Sequence, residues 1–185
     1  DVAAAEEAGL TARFFFRDTA SGPVDLAAEA EPGIAYGSAS GKNLPAHPDG
    51  TGAVSGEWIG WLEAPAAGLY NFRIDADAGA DIRLELDGKP VPLVAAQNRW
   101  TNGVPLELVP GKPIAFRLTA EKVKTTLVVR WETSGTGWET VPPSRFLPQS
   151  AMDRFRAACA RFVKAARLAA ALRLTAEEFA WLAAK

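Results

Sequence analysis

The sequence predicts a mainly β protein, an antiparallel β-sandwich of jelly-roll type followed by two C-terminal α-helices. Three observations carry this expectation. Apolar and polar residues alternate with a period of two along several segments, turn-forming residue pairs separate those segments, and the period becomes helical after Pro142, Pro143 and Pro148.

The strands follow from the alternation, because successive side chains of a strand point to opposite faces of its sheet. Tyr70, Phe72 and Ile74 alternate with Asn71 and Arg73, and Ile82, Leu84 and Leu86 with Asp81, Arg83, Glu85 and Asp87. Ile114, Phe116 and Leu118 alternate with Ala115, Arg117 and Thr119. Val123, Thr125, Leu127, Val129 and Trp131 read as one further strand against Lys122, Lys124, Thr126 and Arg130. Asp87-Gly88 suits a turn with positive φ, and Pro110-Gly111 supplies the fixed φ and the permissive glycine of a type II turn.

Beyond Pro148, Met152, Phe155, Cys159, Phe162, Val163, Ala166 and Ala169 share one helical arc, with Arg154, Arg161, Lys164 and Arg167 on the other side, over about six turns. Cys159 on that arc reads as a small buried hydrophobe. Thr175 and Glu178 form a capping box for a second, short helix with Phe179, Trp181 and Leu182 on its apolar side. The division expected is a sandwich over residues 9–148 and a helical extension over 149–185. The extension either docks on the body or opens the next domain of a longer chain, from which the first residue, Asp1, also suggests this piece is cut.

Composition narrows the function. The 185 residues are 48% hydrophobic and 23% charged, as in ordinary globular domains. One cysteine excludes an internal disulfide, and one histidine, His47, leaves most histidine-based metal centres and triads short of parts. No run of roughly 18 apolar residues occurs, so no transmembrane segment is expected. Residues 1–150 carry 13 Lys and Arg against 19 Asp and Glu, whereas residues 151–185 carry 7 against 3. An acidic body repels phosphate backbones, so nucleic acid is not an expected partner. The basic tail suits an acidic protein surface, the body or a neighbouring domain of the parent chain among them.

Trp100 and Trp138 fall outside the alternating pattern and read as loop aromatics on which a sugar ring can stack. Asn98 and Asn102 flank Trp100 with amides that both donate and accept hydrogen bonds. The alternative is that each tryptophan covers an end of the sandwich. Catalysis is not expected. A glycosidase needs two carboxyls roughly 5–9.5 Å apart with one pKa raised, whereas Glu57 and Glu63 both read as exposed and His47 as part of a Pro-rich loop.

One family shares these landmarks in order: Gly9-Leu10 and Phe14-Phe15-Phe16, Trp58-Ile59-Gly60, Ala64-Pro65, Gly68-Leu69-Tyr70-Asn71-Phe72, Leu84 to Gly88, Leu106 to Gly111, Leu127 to Trp131 and Val141-Pro142-Pro143. Over about residues 9–148 the chain resembles the PA14 family, β-sandwich domains first named from the bacterial toxin protective antigen. The resemblance implies a carbohydrate-binding module, as in adhesins, glycosidases and toxins. Its lectin-like members hold Ca2+ on two adjacent aspartates after the Tyr-x-Phe strand, and the ion holds sugar hydroxyls. Here that stretch offers Asp75, Asp77 and Asp81, spaced and not adjacent, as candidate calcium ligands. Ala171 to Phe179 resembles a segment of the large A components of bacterial insecticidal toxin complexes. The function implied is a non-catalytic, lectin-like module of a larger secreted or cell-surface, toxin-like bacterial protein, with a glycan and neighbouring domains as partners. The alternative is a structural or protein-interaction domain with no sugar or calcium site.

Overall fold

The alternating segments become strands of two antiparallel sheets in the computed structural model, which describes residues 8–37, 40, 42–50, 52–133, 136–173, 175 and 177–178. In chain order the strands are β1 (Leu10–Phe15), β2 (Leu26–Glu31), β3 (Ala35–Tyr36), β4 (Val54–Leu62), β5 (Gly68–Ala76), β6 (Asp81–Leu86) and β7 (Lys89–Val91). They continue as β8 (Leu93–Ala96), β9 (Arg99–Asn102), β10 (Leu106–Leu108), β11 (Ile114–Val123), β12 (Leu127–Thr133), β13 (Glu139–Thr140) and β14 (Phe146–Pro148), and a helix α1 (Gln149–Ala171) follows.

The first sheet has the order β2-β1-β4-β11-β6-β7, and β14 pairs with the end of β4 that β1 leaves free. The second has the order β13-β12-β5-β9-β8, with β10 continuing the edge of β5 beyond β9 and β3 continuing that of β12 beyond β13. Their inner faces meet in one core, in which Trp58, Leu84 and Leu118 of the first sheet join Phe72, Ile74, Val129 and Trp131 of the second. Trp58 fits because β4 has glycine on either side of it on the inner face. A Cβ on Gly56 would lie 2.3 Å from the Trp58 ring, and one on Gly60 would lie 2.4 Å from the Leu147 carbonyl.

The tryptophan is also tied polar end first. Its indole N–H donates to the Tyr36 hydroxyl at 3.2 Å, and that hydroxyl donates to buried Glu31 at 2.7 Å, where the Lys42 ammonium closes the chain. Burial, reinforced by Glu31, pushes the Tyr36 phenol far above its ordinary value, so it stays a donor.

Both expected turns are present: Asp87 and Gly88 have φ of 51° and 71°, and Gly111 has φ of 71° in a turn closed by Lys112 N–H on the Val109 carbonyl. One strand is corrected. Val123 to Trp131 is not continuous, because β11 ends at Val123 and the chain reverses through residues 124–126 into β12. Lys122, with φ of 59°, lies within the shift of the β11–β4 register between Ala120 and Val123, just before that reversal.

The chain divides into two units, Asp1–Gln149 and Ser150–Lys185. Among the described residues α1 is the one extended α-helix, and of the second helix expected after it only residues 177–178 are described as helical. The capping box does form, with Thr175 N–H donating to Glu178 at 2.8 Å and Glu178 N–H to the Thr175 hydroxyl at 3.3 Å. Phe179, Trp181 and Leu182 lie outside the described residues. No residue of α1 is buried, and Cys159, expected to be buried, is exposed. No helix among the described residues is long and apolar enough to cross a membrane.

Candidate functional site

Three connections meet at one end of the second sheet: the β5–β6 turn, the two-residue β8–β9 hairpin turn at Gln97-Asn98, and the β11–β12 reversal. They enclose an open hollow of about 260 Å3 lined by Asp75, Ala76, Asp77, Asn98, Arg99 and Thr126. The β5–β6 and β11–β12 loops are joined by Asp77. One of its oxygens accepts from the backbone N–H groups of Lys124 (2.6 Å), Thr125 (2.7 Å) and Thr126 (3.1 Å), and the other accepts from the Thr125 hydroxyl at 2.7 Å. Partial burial alone would raise the Asp77 carboxyl, but the amides of Thr125 and Lys124, the Thr125 hydroxyl and the Thr126 amide outweigh it and hold the group below the ordinary carboxylate range. The hairpin is tied in by Ala76 N–H donating to the Asn98 carbonyl at 3.1 Å.

Asp75 lies on the outer face of β5, because Ile74 and Ala76 on either side of it face the core. Three guanidinium groups surround it. Arg130 Nε donates to Asp75 Oδ2 at 2.9 Å and Arg73 Nη2 donates to the same oxygen at 3.1 Å, with Arg73 Nε 3.0 Å from Oδ1. Arg73 Nε and Asp75 Oδ1 are buried and paired by charge, but not aligned as a hydrogen bond. Arg99 Nε lies 3.7 Å from Oδ1, an ion pair beyond hydrogen-bond distance, and the Arg99 side chain is 65% exposed. Register explains the convergence. Arg73 stands opposite Arg130 on β12, and Asp75 opposite Arg99 on β9, so four charged residues share one face. Trp138, half-buried in the loop before β13, lies against Arg73 with the guanidinium carbon 5.1 Å from the ring centroid.

The candidate residues are therefore only partly brought together. Asn98 and the Asp75–Asp77 stretch share the hollow, and Trp138 is linked to it through Arg73. Trp100 is corrected: it lies in β9 and not in a loop, opposite Ile74, with its side chain in the core and 8% exposed. Asn102 is corrected as well. It is buried, accepts from Phe72 N–H at 2.6 Å and donates to the Val104 carbonyl at 2.6 Å, so both ends of its amide serve the backbone and it is not presented to a sugar.

A calcium ion does not fit the three aspartates. Asp75 is neutralised by arginines, the Asp77 oxygens already receive four donors, and Asp81 opens β6 exposed, opposite Glu121. Among the described residues no group of three or more His, Cys, Asp or Glu is placed to hold a metal. Glu57, expected to be exposed, is buried on the outer face of the first sheet, between Arg117, whose Nε donates to it at 2.7 Å, and Arg13 at 3.4 Å. Glu63 accepts from Gly111 N–H at 3.2 Å. His47 does lie in its loop, its Nδ1 accepting from Asp49 N–H at 3.2 Å and its Nε2 3.0 Å from the Phe16 carbonyl.

Sequence reasoning missed Arg73, Arg99 and Arg130 as site residues. Arg73 and Arg130 occupy polar positions of the alternation, where only solvent is expected, and Arg99 sits beside a tryptophan read as a loop residue.

Neither a family model nor a curated protein matches the chain. Among solved structures, the chain is similar to an anti-sigma factor domain-containing protein from Clostridium clariflavum, with a TM-score of 0.57 and 19% identity over 76% of this chain and 47% of that one. It spans about half the length of the first two solved chains it matches. It is also similar to the PA14 domain of the MpAFP antifreeze protein, with a TM-score of 0.54 and 15% identity over 75% of this chain and 89% of that one. A third is the epithelial adhesin 6 A domain from Candida glabrata in complex with Galb1-3GlcNAc, with a TM-score of 0.52 and 10% identity over 76% of this chain and 86% of that one. The strand-forming body has a PA14-type fold.

Proposed function

We propose that residues 9–148 form a non-catalytic carbohydrate-binding module of a larger secreted or cell-surface, toxin-like protein, and that the hollow between the β5–β6, β8–β9 and β11–β12 connections receives the glycan. The observation that carries this reading is the make-up of the hollow. It places an exposed amide (Asn98), a half-buried threonine (Thr126) and an exposed guanidinium (Arg99) around a space of about 260 Å3, with a half-buried tryptophan (Trp138) beyond Arg73. Amide, hydroxyl and guanidinium groups offer the donors and acceptors that a sugar's hydroxyls and ring oxygen use. An adhesin domain of the same fold, crystallised with a disaccharide, supports the ligand class.

Calcium has no part in this reading. Direct hydrogen bonds serve in place of an ion, since the Asp75 carboxylate is already paired with Arg73 and Arg130. The non-catalytic reading is supported by Glu57 and Glu63, each committed to other groups of the fold. The test is a glycan array probed with the full chain in calcium and again in chelator. Binding of equal strength in both buffers is expected. Binding lost in chelator overturns the calcium-free site, and a blank array in both buffers overturns the carbohydrate reading in favour of a protein-interaction domain.

A further inference from the structure

We infer that the glycan bound at this hollow is acidic, and that Arg99 holds a carboxylate of the saccharide. The inference rests on the carbohydrate reading above and adds the chemical class of the ligand.

The charge balance of the face points to it. Arg73, Arg99 and Arg130 converge on a single carboxylate, Asp75, so the face carries more guanidinium groups than the one carboxylate they meet can pair. The other carboxylates nearby keep their charge but direct it at groups of the fold and not at Arg99: Asp77 at backbone amides and the Thr125 hydroxyl, and Glu132 at the Asn71 amide at 3.3 Å. The arginines are not equivalent. Arg73 has two contacts to Asp75 and the Trp138 ring, and Arg130 has Asp75 and the Thr140 hydroxyl at 3.4 Å. Arg99 has only the 3.7 Å approach to Asp75 Oδ1, and its side chain makes no hydrogen bond among the described residues.

A guanidinium fork presents parallel N–H donors that match the two oxygens of a carboxylate. Arg73 and Arg130 neutralise Asp75, so the exposed Arg99 guanidinium at the lip of the hollow is left to meet an incoming anion. Asn98 and Thr126 on the same hollow are uncharged hydrogen-bonding groups, suited to sugar hydroxyls and not to a second anion. One fork beside polar neutral groups describes a uronic or sialic acid better than a polyphosphate, which would demand several free cations.

The full chain is titrated against oligogalacturonate, hyaluronan oligomers and sialyllactose, against methyl esters of the same saccharides, and against neutral oligosaccharides and dextran sulfate. At least one carboxylated saccharide is expected to bind, its methyl ester about tenfold or more weakly, since a hydrogen-bonded charge is lost. Arg99→Ala should produce a similar loss at an unchanged unfolding midpoint, with Arg99→Lys recovering part of it. Arg83→Ala, which removes an exposed cation from the first sheet, should leave binding as it was. Equal binding of ester and acid, or binding of neutral sugars unaffected by Arg99→Ala, overturns the acidic-ligand inference and leaves the carbohydrate reading standing. Tighter binding of dextran sulfate than of every carboxylated saccharide overturns the carboxylate assignment. No binding to any member of the panel overturns both.

Discussion

Asp77 shows how a residue suggested as a metal ligand can serve the backbone instead. Its two oxygens accept four hydrogen bonds from residues 124–126, so it sets the shape of one wall of the hollow without facing a ligand. Asp77→Ala should cost about 1–2 kcal/mol in chemical denaturation, because three backbone donors lose a charged acceptor and only partly regain water. The folded-state pKa lies below the unfolded 3.8, so this stabilisation is fully present above about pH 3.8 and is lost as pH falls through the lower folded value. Asp77→Asn should therefore flatten the acid limb of a stability–pH curve below about pH 4; an unchanged limb would show that other carboxylates govern it. Trp100 makes the complementary case. Trp100→Ala should cost about 3–5 kcal/mol of stability, as for a buried aromatic, whereas an exposed sugar platform would lose binding at constant stability. Its position was hidden in the sequence because β9 has only four residues and its other buried member, Asn102, is polar. An inward amide whose two ends serve the backbone erases the period of two on which strand reading depends.

The longer strands were legible for the opposite reason. Tyr70, Phe72 and Ile74 on β5 and Ile82, Leu84 and Leu86 on β6 are all buried, with the intervening residues outside. The reversal between β11 and β12 was not legible, because an odd number of residues, 124–126, separates Val123 from Leu127 and both face the core. Parity survives the turn, so alternation alone reads straight through it. On β4, glycine matters by what it leaves out. Gly60→Ala would drive a Cβ into the Leu147 carbonyl and Leu10, and should cost about 1–3 kcal/mol by overpacking where β14 crosses. Gly68→Ala, with nothing within 4 Å of the added carbon, should stay within about 0.5 kcal/mol of the parent. Equal midpoints for the two variants in thermal melts would contradict this account of the β4–β14 contact.

At the scale of the whole molecule, the buried core runs from Leu10 to Phe146 and corresponds to the part that resembles PA14 domains in sequence. The class of fold could be read because the residues that define it are turn formers and core aromatics, which announce themselves locally. The site could not, because Arg73, Arg99 and Arg130 come from β5, β9 and β12 and meet only through cross-strand register. Each reads singly as a solvated charge, and only pairing shows three of them on one carboxylate. The most direct measurement of the central claim is a backbone amide NMR titration of the full chain with the best-bound glycan from the array. The account expects saturable shifts at Asn98, Arg99 and Thr126, with smaller ones near Trp138. Shifts confined to the separate hollow at Pro65 to Tyr70, or no shifts at saturating glycan, would contradict it.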